Sequence, residues 1–138
     1  MSYWLLKTEP TEYSFDQLVE DQRTVWDGIA NPLALKYLRE AQKGDHLVIY
    51  HTGSERRAVG TAVIVRAAYD DPKTGGHHPV IDVAAKERLP QPVDFAAMKA
   101  DPAFEESALT RQARLSFVPL TDGQWARLMV LGKKKSRR

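Results

Sequence analysis

Cysteine is absent from this 138-residue chain, which excludes disulfides, thiolate nucleophiles and thiolate metal ligands. The chain also lacks an apolar run near the ~20 residues that a membrane-spanning helix needs, and its N-terminus lacks the basic-then-apolar pattern of a secretion signal. We therefore expect an intracellular, cytoplasmic protein with no membrane partner. Its 43% hydrophobic and 28% charged residues are ordinary for one globular domain of this length.

Positive charge is scarce outside the C-terminus. The last six residues, 133–138, hold five of the 20 basic residues and no acid. Residues 1–132 therefore hold 15 basic and 18 acidic residues, a net charge of −3, so composition gives no support for a broad phosphate-binding face. The tail 133–138 is either a nucleic-acid-binding or nuclear-address segment or a solvated, disordered end, and we favour the solvated end.

Motifs for catalysis and metal binding are equally scarce. No Gly-x-Ser-x-Gly elbow and no Gly-rich phosphate loop occurs, and only four histidines are present. His46 and His51 lie five residues apart on a predicted strand, so their side chains point to opposite faces and cannot share one ion. His77 and His78 lie in a glycine-rich loop, where a solvated surface pair is the simpler interpretation. The sequence predicts no catalytic residue, no metal site and no cofactor.

The hydrophobic pattern predicts strands and helices in the order β-α-α-β-β-β-α-α-β-α. Strands are predicted at residues 3–8, 46–51, 58–69, 80–89 and 115–120. Helices are predicted to begin after five capping residues: Ser14, Asn31, Asp94, Asp101 and Thr121. The three central strands have antiparallel hairpin spacing, which favours an α+β fold with a small barrel-like sheet flanked by helices.

Three details inside these elements can be checked against a structure. Gly60 lies within a valine-rich strand and marks a bulge or a close approach of another group. Pro90 and Pro92 are expected to end the next strand. The first helix is expected to bury three residues: Phe15, Leu18 and Val19.

Trp26 is the residue on which a functional interpretation depends. It lies outside the periodic segments, beside Asp27 and five residues before the helix cap Asn31, so it is either a core plug or a pocket wall. A planar heterocycle needs a stacking surface and a few donors and acceptors at its edge, which these neighbours supply. Tyr50 and His51 end a strand where a pocket mouth would lie, although His51 also fits a satisfied core histidine. The residues alone do not decide whether Trp26 is a pocket wall or a core residue.

An ordered set of segments along nearly the whole chain resembles the EVE domain. The segments are Tyr3-Trp-Leu-Leu-Lys-Thr-Glu-Pro10, Tyr13-Ser-Phe-Asp-Gln-Leu18, Val25-Trp-Asp-Gly-Ile-Ala-Asn31, Lys43-Gly-Asp45, Tyr50-His51, Val59-Gly60, Leu89-Pro-Gln-Pro-Val93 and Leu109-Thr-Arg-Gln-Ala-Arg-Leu-Ser-Phe-Val-Pro119. The resemblance implies an α+β, PUA-like fold over residues 1–132, a small mixed β-barrel flanked by short α-helices. It also implies kinship with YTH, ASCH and PUA modules, which mostly bind RNA or DNA.

The resemblance implies a base-binding site as well. Residues that match the family's motifs are the expected ligand contacts: Lys7, Thr8, Glu9, Trp26, Asp27, Asn31, Tyr50, His51, Arg114 and Ser116. The segment after Trp26 departs from the pattern, since Ile-Ala-Asn-Pro-Leu-Ala-Leu stands where many members read Val-Arg-Asn-Tyr-Gln-Ala-Arg. An arginine, a tyrosine and a glutamine are therefore missing beside the expected pocket.

We accordingly predict a non-enzymatic module that binds nucleic acid, DNA or RNA, and reads a modified base flipped into an aromatic-walled pocket. One alternative is a nucleic-acid processing enzyme of the ASCH type, for which Glu9 with His51 or Lys7 is the acid–base pair to inspect. The other is a protein-interaction module, in which Trp26 is fully packed by apolar neighbours and no cavity exists.

Overall fold

A six-stranded mixed sheet carries the fold, in a computed structural model that describes residues 2–74, 78–105, 107–111 and 115–133. The strands are β1 (Tyr3–Thr8), β2 (Arg23–Trp26), β3 (His46–His51), β4 (Arg57–Asp70), β5 (Pro79–Asp94) and β6 (Phe117–Leu120). The helices are α1 (Phe15–Asp21), α2 (Pro32–Glu40), α3 (Phe95–Ala100), α4 (Ala108–Arg111) and α5 (Asp122–Leu131), with 3-10 turns at Pro72–Thr74 and Pro102–Phe104. None of the helices in these ranges is both long and apolar enough to cross a membrane.

The sheet has the strand order β2-β5-β4-β3-β1-β6. β1 and β3 are parallel, and every other neighbouring pair is antiparallel. This confirms the α+β class with a mixed sheet and flanking helices. Within the described residues β2 and β6 remain the two edges of the sheet, so the word barrel describes its shape only loosely.

The strand β5 runs well past the point where the sequence predicts its end. It continues through Pro90 and Pro92, because residues 89–92 bulge opposite Val59 alone, between the pairs Gly60–Arg88 and Ala58–Val93. β2 pairs with β5 only at residues 81–84, so in the described chain no strand lies on the other side of this stretch. A proline has no N–H to donate and is tolerated at such a bulged edge.

Helix α4 is missing from the sequence prediction, and the strand-like character of Arg23-Thr24-Val25 extends one residue further than the sequence indicates, where Trp26 is treated as lying outside any regular segment. Trp26 is instead the last residue of β2 and pairs with Ile81. The predicted caps Ser14, Asn31, Asp101 and Thr121 each accept a backbone N–H as expected, whereas Asp94 makes no capping hydrogen bond.

Helix α1 is locked onto the sheet by a close approach at Gly60. Phe15 and Leu18 are fully buried, while Val19, expected in the same stripe, is 44% exposed. A β-carbon at Gly60 would overlap the Phe15 ring. The missing side chain at Gly60 therefore leaves the space that the aromatic ring occupies. The prediction of a close approach at this position is confirmed, and α1 is thereby held near the start of β4.

Candidate binding cleft at the end of β1

An open cleft of about 650 Å³ lies where the C-terminal end of β1 meets the edge strand β2. The end of β1 and the turn after it supply one side, and β2 with its following loop supplies the other. The lining residues are Lys7, Thr8, Glu9, Glu12, Tyr13, Thr24, Val25, Trp26, Asp27, Gly28, Ile29 and Ser116. The volume lies within the range of ordinary small-ligand sites.

The first side of the cleft is a hydrogen-bonded turn from Glu9 to Tyr13. The Glu9 carbonyl accepts the N–H groups of Glu12 and Tyr13, both at 2.9 Å, and the Thr8 hydroxyl donates to the Tyr13 carbonyl at 2.6 Å. The Thr52 hydroxyl donates to the Glu9 carboxylate at 3.2 Å. Gly53 lies against that carboxylate with φ +72°, where a side chain would be both strained and in contact with it. The turn is therefore fixed before any ligand arrives.

Trp26 forms the opposite wall. Only 8% of the residue is exposed, and its ring meets the Tyr13 ring edge to face, with centroids 5.6 Å apart and planes at 87°. Such edge-to-face pairs are favourable and hold both rings in defined orientations. Gly28 then takes φ +84°, which turns the chain back and buries Ile29 at the cleft margin. Trp26 is thus largely buried, and it also belongs to the cleft lining.

Lys7 is the cation of the cleft. Its backbone N–H donates to the Ser116 carbonyl at 2.9 Å, and its ammonium lies 5.8 Å from the centroid of the buried Tyr50 ring. Burial lowers the pKa of Lys7 from its ordinary value and raises the pKa of Tyr50. Tyr50 is paired with Lys7 across β1 and β3, so its ring lies next to the lysine side chain and attracts the ammonium group.

Acidic side chains outnumber the lysine among the residues that line the cleft. Among the lining residues that the structure describes, Glu9, Glu12 and Asp27 are carboxylates and Lys7 is the single cation. A phosphate group would meet net repulsion here, whereas a neutral ring with N–H donors would find several acceptors. The electrostatics of the cleft therefore favour the edge of a base over a sugar–phosphate backbone.

The structure brings six of the ten sequence-predicted site residues together in this lining: Lys7, Thr8, Glu9, Trp26, Asp27 and Ser116. Asn31, Tyr50 and His51 are not among the lining residues, and Arg114 lies outside the described residues. The Asn31 side-chain oxygen accepts the N–H groups of Leu33 and Ala34 at 2.9 and 3.1 Å, so it serves as the N-cap of α2.

His51 holds α1 in place. Its Nε2 accepts the Phe15 N–H at 2.9 Å, which requires the proton to be on Nδ1, and Nδ1–H then donates to the Glu55 carboxylate at 2.9 Å. The hydrogen bond from His51 keeps the pKa of Glu55 below its usual value. With both ring nitrogens engaged and the residue 7% exposed, His51 matches the satisfied core histidine and is poorly suited to act as an acid or base with Glu9.

Several lining residues were missed as ligand contacts at the level of sequence, and Tyr13 is the most important. Its position against Trp26 depends on the turn after β1, which spacing alone does not reveal. Val25, a 43% exposed valine on the edge strand β2, also lines the cleft, and its exposure is evident only once the strand order is known. No group of three or more His, Asp or Glu side chains that could hold a metal occurs within the described parts of the chain.

The Tyr13 hydroxyl provides a spectroscopic test of the cleft wall. Burial and the 2.7 Å hydrogen bond donated to Asp21 raise the pKa of Tyr13 to about 12. Its folded pKa exceeds the ordinary value near 10, so the stabilisation is fully present below pH 10 and is lost as pH rises towards 12. We expect the ultraviolet titration of wild type minus Tyr13→Phe to show a tyrosine ionising near pH 12. Asp21→Asn should move that titration downwards, and an unchanged curve would contradict the contact.

Comparison with known proteins places the chain in a family. The model of the EVE domain matches residues 2–131. The chain belongs to the EVE domain family. Human thymocyte nuclear protein 1 is 30% identical over 103 residues, which cover 65% of this chain and 46% of that protein. This EVE domain therefore spans about half the length of that relative.

Solved structures share the fold of this EVE domain over almost its full length. Protein Rpa0253 from Rhodopseudomonas palustris is 35% identical, with a TM-score of 0.89 over 96% of this chain and 93% of that one. The structure of human THYN1 in complex with 5-methylcytosine-containing DNA has a TM-score of 0.88 at 24% identity, over 99% of this chain and 100% of that one. At that identity the second comparison supports the fold alone.

Proposed function

We propose that this EVE domain binds nucleic acid as a non-enzymatic reader and takes one modified base, extruded from its stack, into the cleft beside Trp26. The observation that carries the proposal is the convergence of Trp26, Lys7, Glu9 and Asp27 on one open cleft of about 650 Å³. A protein-interaction module with a filled pocket predicts the opposite, namely a Trp26 packed on all sides and no cavity.

The aromatic wall accounts for the energy of base capture. Extruding a base costs a few kcal/mol, and contact with an aromatic side chain returns about 1–3 kcal/mol, with edge hydrogen bonds supplying the rest. Since Tyr13 already fixes the Trp26 ring, little side-chain entropy is lost when the base arrives. The base covers the part of the indole that is open to the cleft.

The charges of the lining define the preferred base edge. Glu9, Glu12 and Asp27 offer acceptors for an exocyclic amine, and Lys7 offers a donor for a ring carbonyl. A cytosine-type base carries both groups, and the DNA in the complex of human THYN1 contains 5-methylcytosine. We therefore propose 5-methylcytosine and related cytosine modifications in DNA as the first ligands to test, with RNA as the comparison.

The remaining sequence-predicted residues have supporting roles in this proposal. Tyr50 positions Lys7 through its ring, His51 holds α1 and the turn before it, and Asn31 fixes the start of α2 after the Trp26 loop. Thr8 and Ser116 offer a fixed backbone rim at the mouth of the cleft. Arg114, close in sequence to Ser116, stays a predicted contact to the nucleic acid.

The direct test is a binding panel at one stated salt concentration. Short DNA and RNA oligonucleotides that differ only in one modified base are titrated with the protein, and fluorescence anisotropy reports the dissociation constants. We expect at least one modification to bind about tenfold more tightly than the plain base, as one good set of edge contacts allows. If every modified oligonucleotide binds like its plain counterpart, the domain is not a modified-base reader.

A further inference from the structure

A second groove, of about 320 Å³, lies between the middle of β5 and helix α5. Trp125 forms part of its lining and is half-buried. The Trp125 ring stacks on Tyr3, with centroids 4.7 Å apart and planes at 25°, and His46 lies beside both at 5.4 Å from Trp125. Leu89, Pro90 and Met129 complete an apolar floor. The groove therefore offers a supported indole in an apolar setting open to solvent.

This groove is at the other end of the sheet from the base cleft. Tyr3 and His46 pair at the start of β1 and β3, whereas Lys7 pairs with Tyr50 near the end of the same two strands. The four residues from Tyr3 to Lys7 correspond to about 13 Å along an extended strand. The Trp125 stack and the base cleft thus lie towards opposite ends of β1 and β3.

The charge around the groove is opposite to that of the cleft. Lys86 and Lys133 are exposed lining residues, and Arg88 joins them from its ion pair with Asp16, against a single acid, Glu87. Lys133 also begins the run 133–138, which contains five basic residues and no acid. The strongest concentration of positive charge in the sequence therefore starts at the rim of this groove.

We propose that the groove is a second nucleic-acid site, which stacks one unpaired base on Trp125 and binds the adjoining phosphates through Lys86 and Lys133. The proposal rests on the proposed function, because it assigns the backbone and flanking contacts of the same ligand. An indole accepts any base face, so this site contributes affinity without sequence preference. A body with net charge −3 and an acidic cleft needs such a local phosphate contact.

The two sites are expected to contribute differently to binding, because their side chains differ in charge and polarity. The cleft discriminates among bases through donors and acceptors, and the groove supplies salt-dependent affinity through counterion release. Changes in the groove should therefore weaken modified and plain oligonucleotides by the same factor. Changes in the cleft should alter the ratio between them.

The test compares two double variants on a plain, fluorescein-labelled single-stranded DNA between 50 and 200 mM salt. Lys86→Gln with Lys133→Gln removes the groove cations, and Lys36→Gln with Lys99→Gln removes two exposed lysines that line neither site. Two phosphate contacts should reduce the salt slope by about 1.4 and the affinity roughly 10- to 30-fold near 0.1 M salt. The control pair should stay within about twofold of wild type. The run 134–138 is left intact in both.

Trp125→Phe and Trp125→Ala test the stacking. Loss of one stacked base predicts roughly 5- to 150-fold weaker binding for Trp125→Ala, with Trp125→Phe close to wild type, and circular dichroism confirms folding. Photo-crosslinking of a 5-bromouracil-substituted oligonucleotide to wild type gives a readout that needs no variant, and a crosslinked peptide containing Trp125 is expected.

Three results overturn the groove assignment: equal binding by the two lysine pairs, crosslinks confined to the base cleft, or a dimer of the free protein that the Lys86 and Lys133 changes dissociate. The third result would make the groove an interface between copies of the chain. If the wild-type protein binds modified and plain DNA equally well, and the groove variants weaken both as expected, only the proposed function is contradicted.

Discussion

Trp26→Leu is expected to weaken binding of the preferred modified oligonucleotide by about 5- to 10-fold, which removes most or all of its preference over the plain oligonucleotide and corresponds to about 1–1.4 kcal/mol, the lower end of what one stacked base contributes. Leucine keeps an apolar residue beside Tyr13 and Ile81 and removes the indole that lines the cleft. Affinity for the plain oligonucleotide should change by no more than about twofold, because backbone contacts lie elsewhere. Anisotropy titrations of both oligonucleotides measure the two effects together.

Two further variants separate loss of the wall from loss of stability. Trp26→Phe keeps an aromatic ring and should retain most of the preference. Trp4→Phe removes the hydrogen bond that the Trp4 Nε1–H donates to the buried Asp45 at 3.0 Å, and neither residue lines the cleft. It should lower the melting temperature without altering the preference. Equal preferences in wild type and a folded Trp26→Leu protein would contradict the assignment of Trp26.

Phe15→Ala is expected to be the most destabilising change considered, at about 3–5 kcal/mol, because it empties a fully buried aromatic position against Gly60. For a chain of this length the melting temperature should fall by roughly 10–20 °C. Gly60→Ala should cost about 1–3 kcal/mol for the complementary reason, since its β-carbon overlaps the Phe15 ring. Differential scanning calorimetry or chemical denaturation gives both values.

The pair can be checked by its coupling. In the Phe15→Ala background the added methyl group at Gly60 no longer meets a ring, so its cost should fall well below its cost in wild type. Gly123→Ala is the matched control, because a β-carbon there meets only the Thr121 hydroxyl at 3.9 Å and the position is in helix α5. It should be neutral or slightly stabilising. Additive costs for Phe15 and Gly60 would show that the two do not pack together.

Much of the fold could be predicted from the sequence because it is encoded locally. The caps at Ser14, Asn31 and Thr121 satisfy N–H groups two or three residues away, and spacing alone reveals them. The path of β5 through Pro90 and Pro92 could not be predicted in this way. It depends on a bulge opposite β4 and on the early end of β2, both of which are contacts with distant parts of the chain.

In the candidate site, too, the residues that are close in sequence could be predicted, and the roles that depend on distant contacts could not. Lys7, Thr8 and Glu9 are consecutive, so the end of one strand brings them together, and Trp26 with Asp27 lines the opposite side of the cleft. Asn31 and His51 also match segments of the EVE domain, but Asn31 caps helix α2 and His51 accepts a hydrogen bond from the first residue of α1. The sequence shows that such a polar residue is present. It does not show which groups of the folded protein already form hydrogen bonds with its side chain.

The extrusion of a base is the central claim, and 2-aminopurine fluorescence tests it most directly. The fluorophore is placed in the same strand of a DNA duplex, directly beside the preferred modified base, where loss of its stacked neighbour raises its emission. At saturating protein we predict a clear rise for wild type and a much smaller one for Trp26→Leu, with no rise on the matched unmodified duplex. An unchanged signal on the modified duplex, at concentrations where anisotropy shows it fully bound, would mean that the base stays in the helix and that the cleft beside Trp26 is not its binding site.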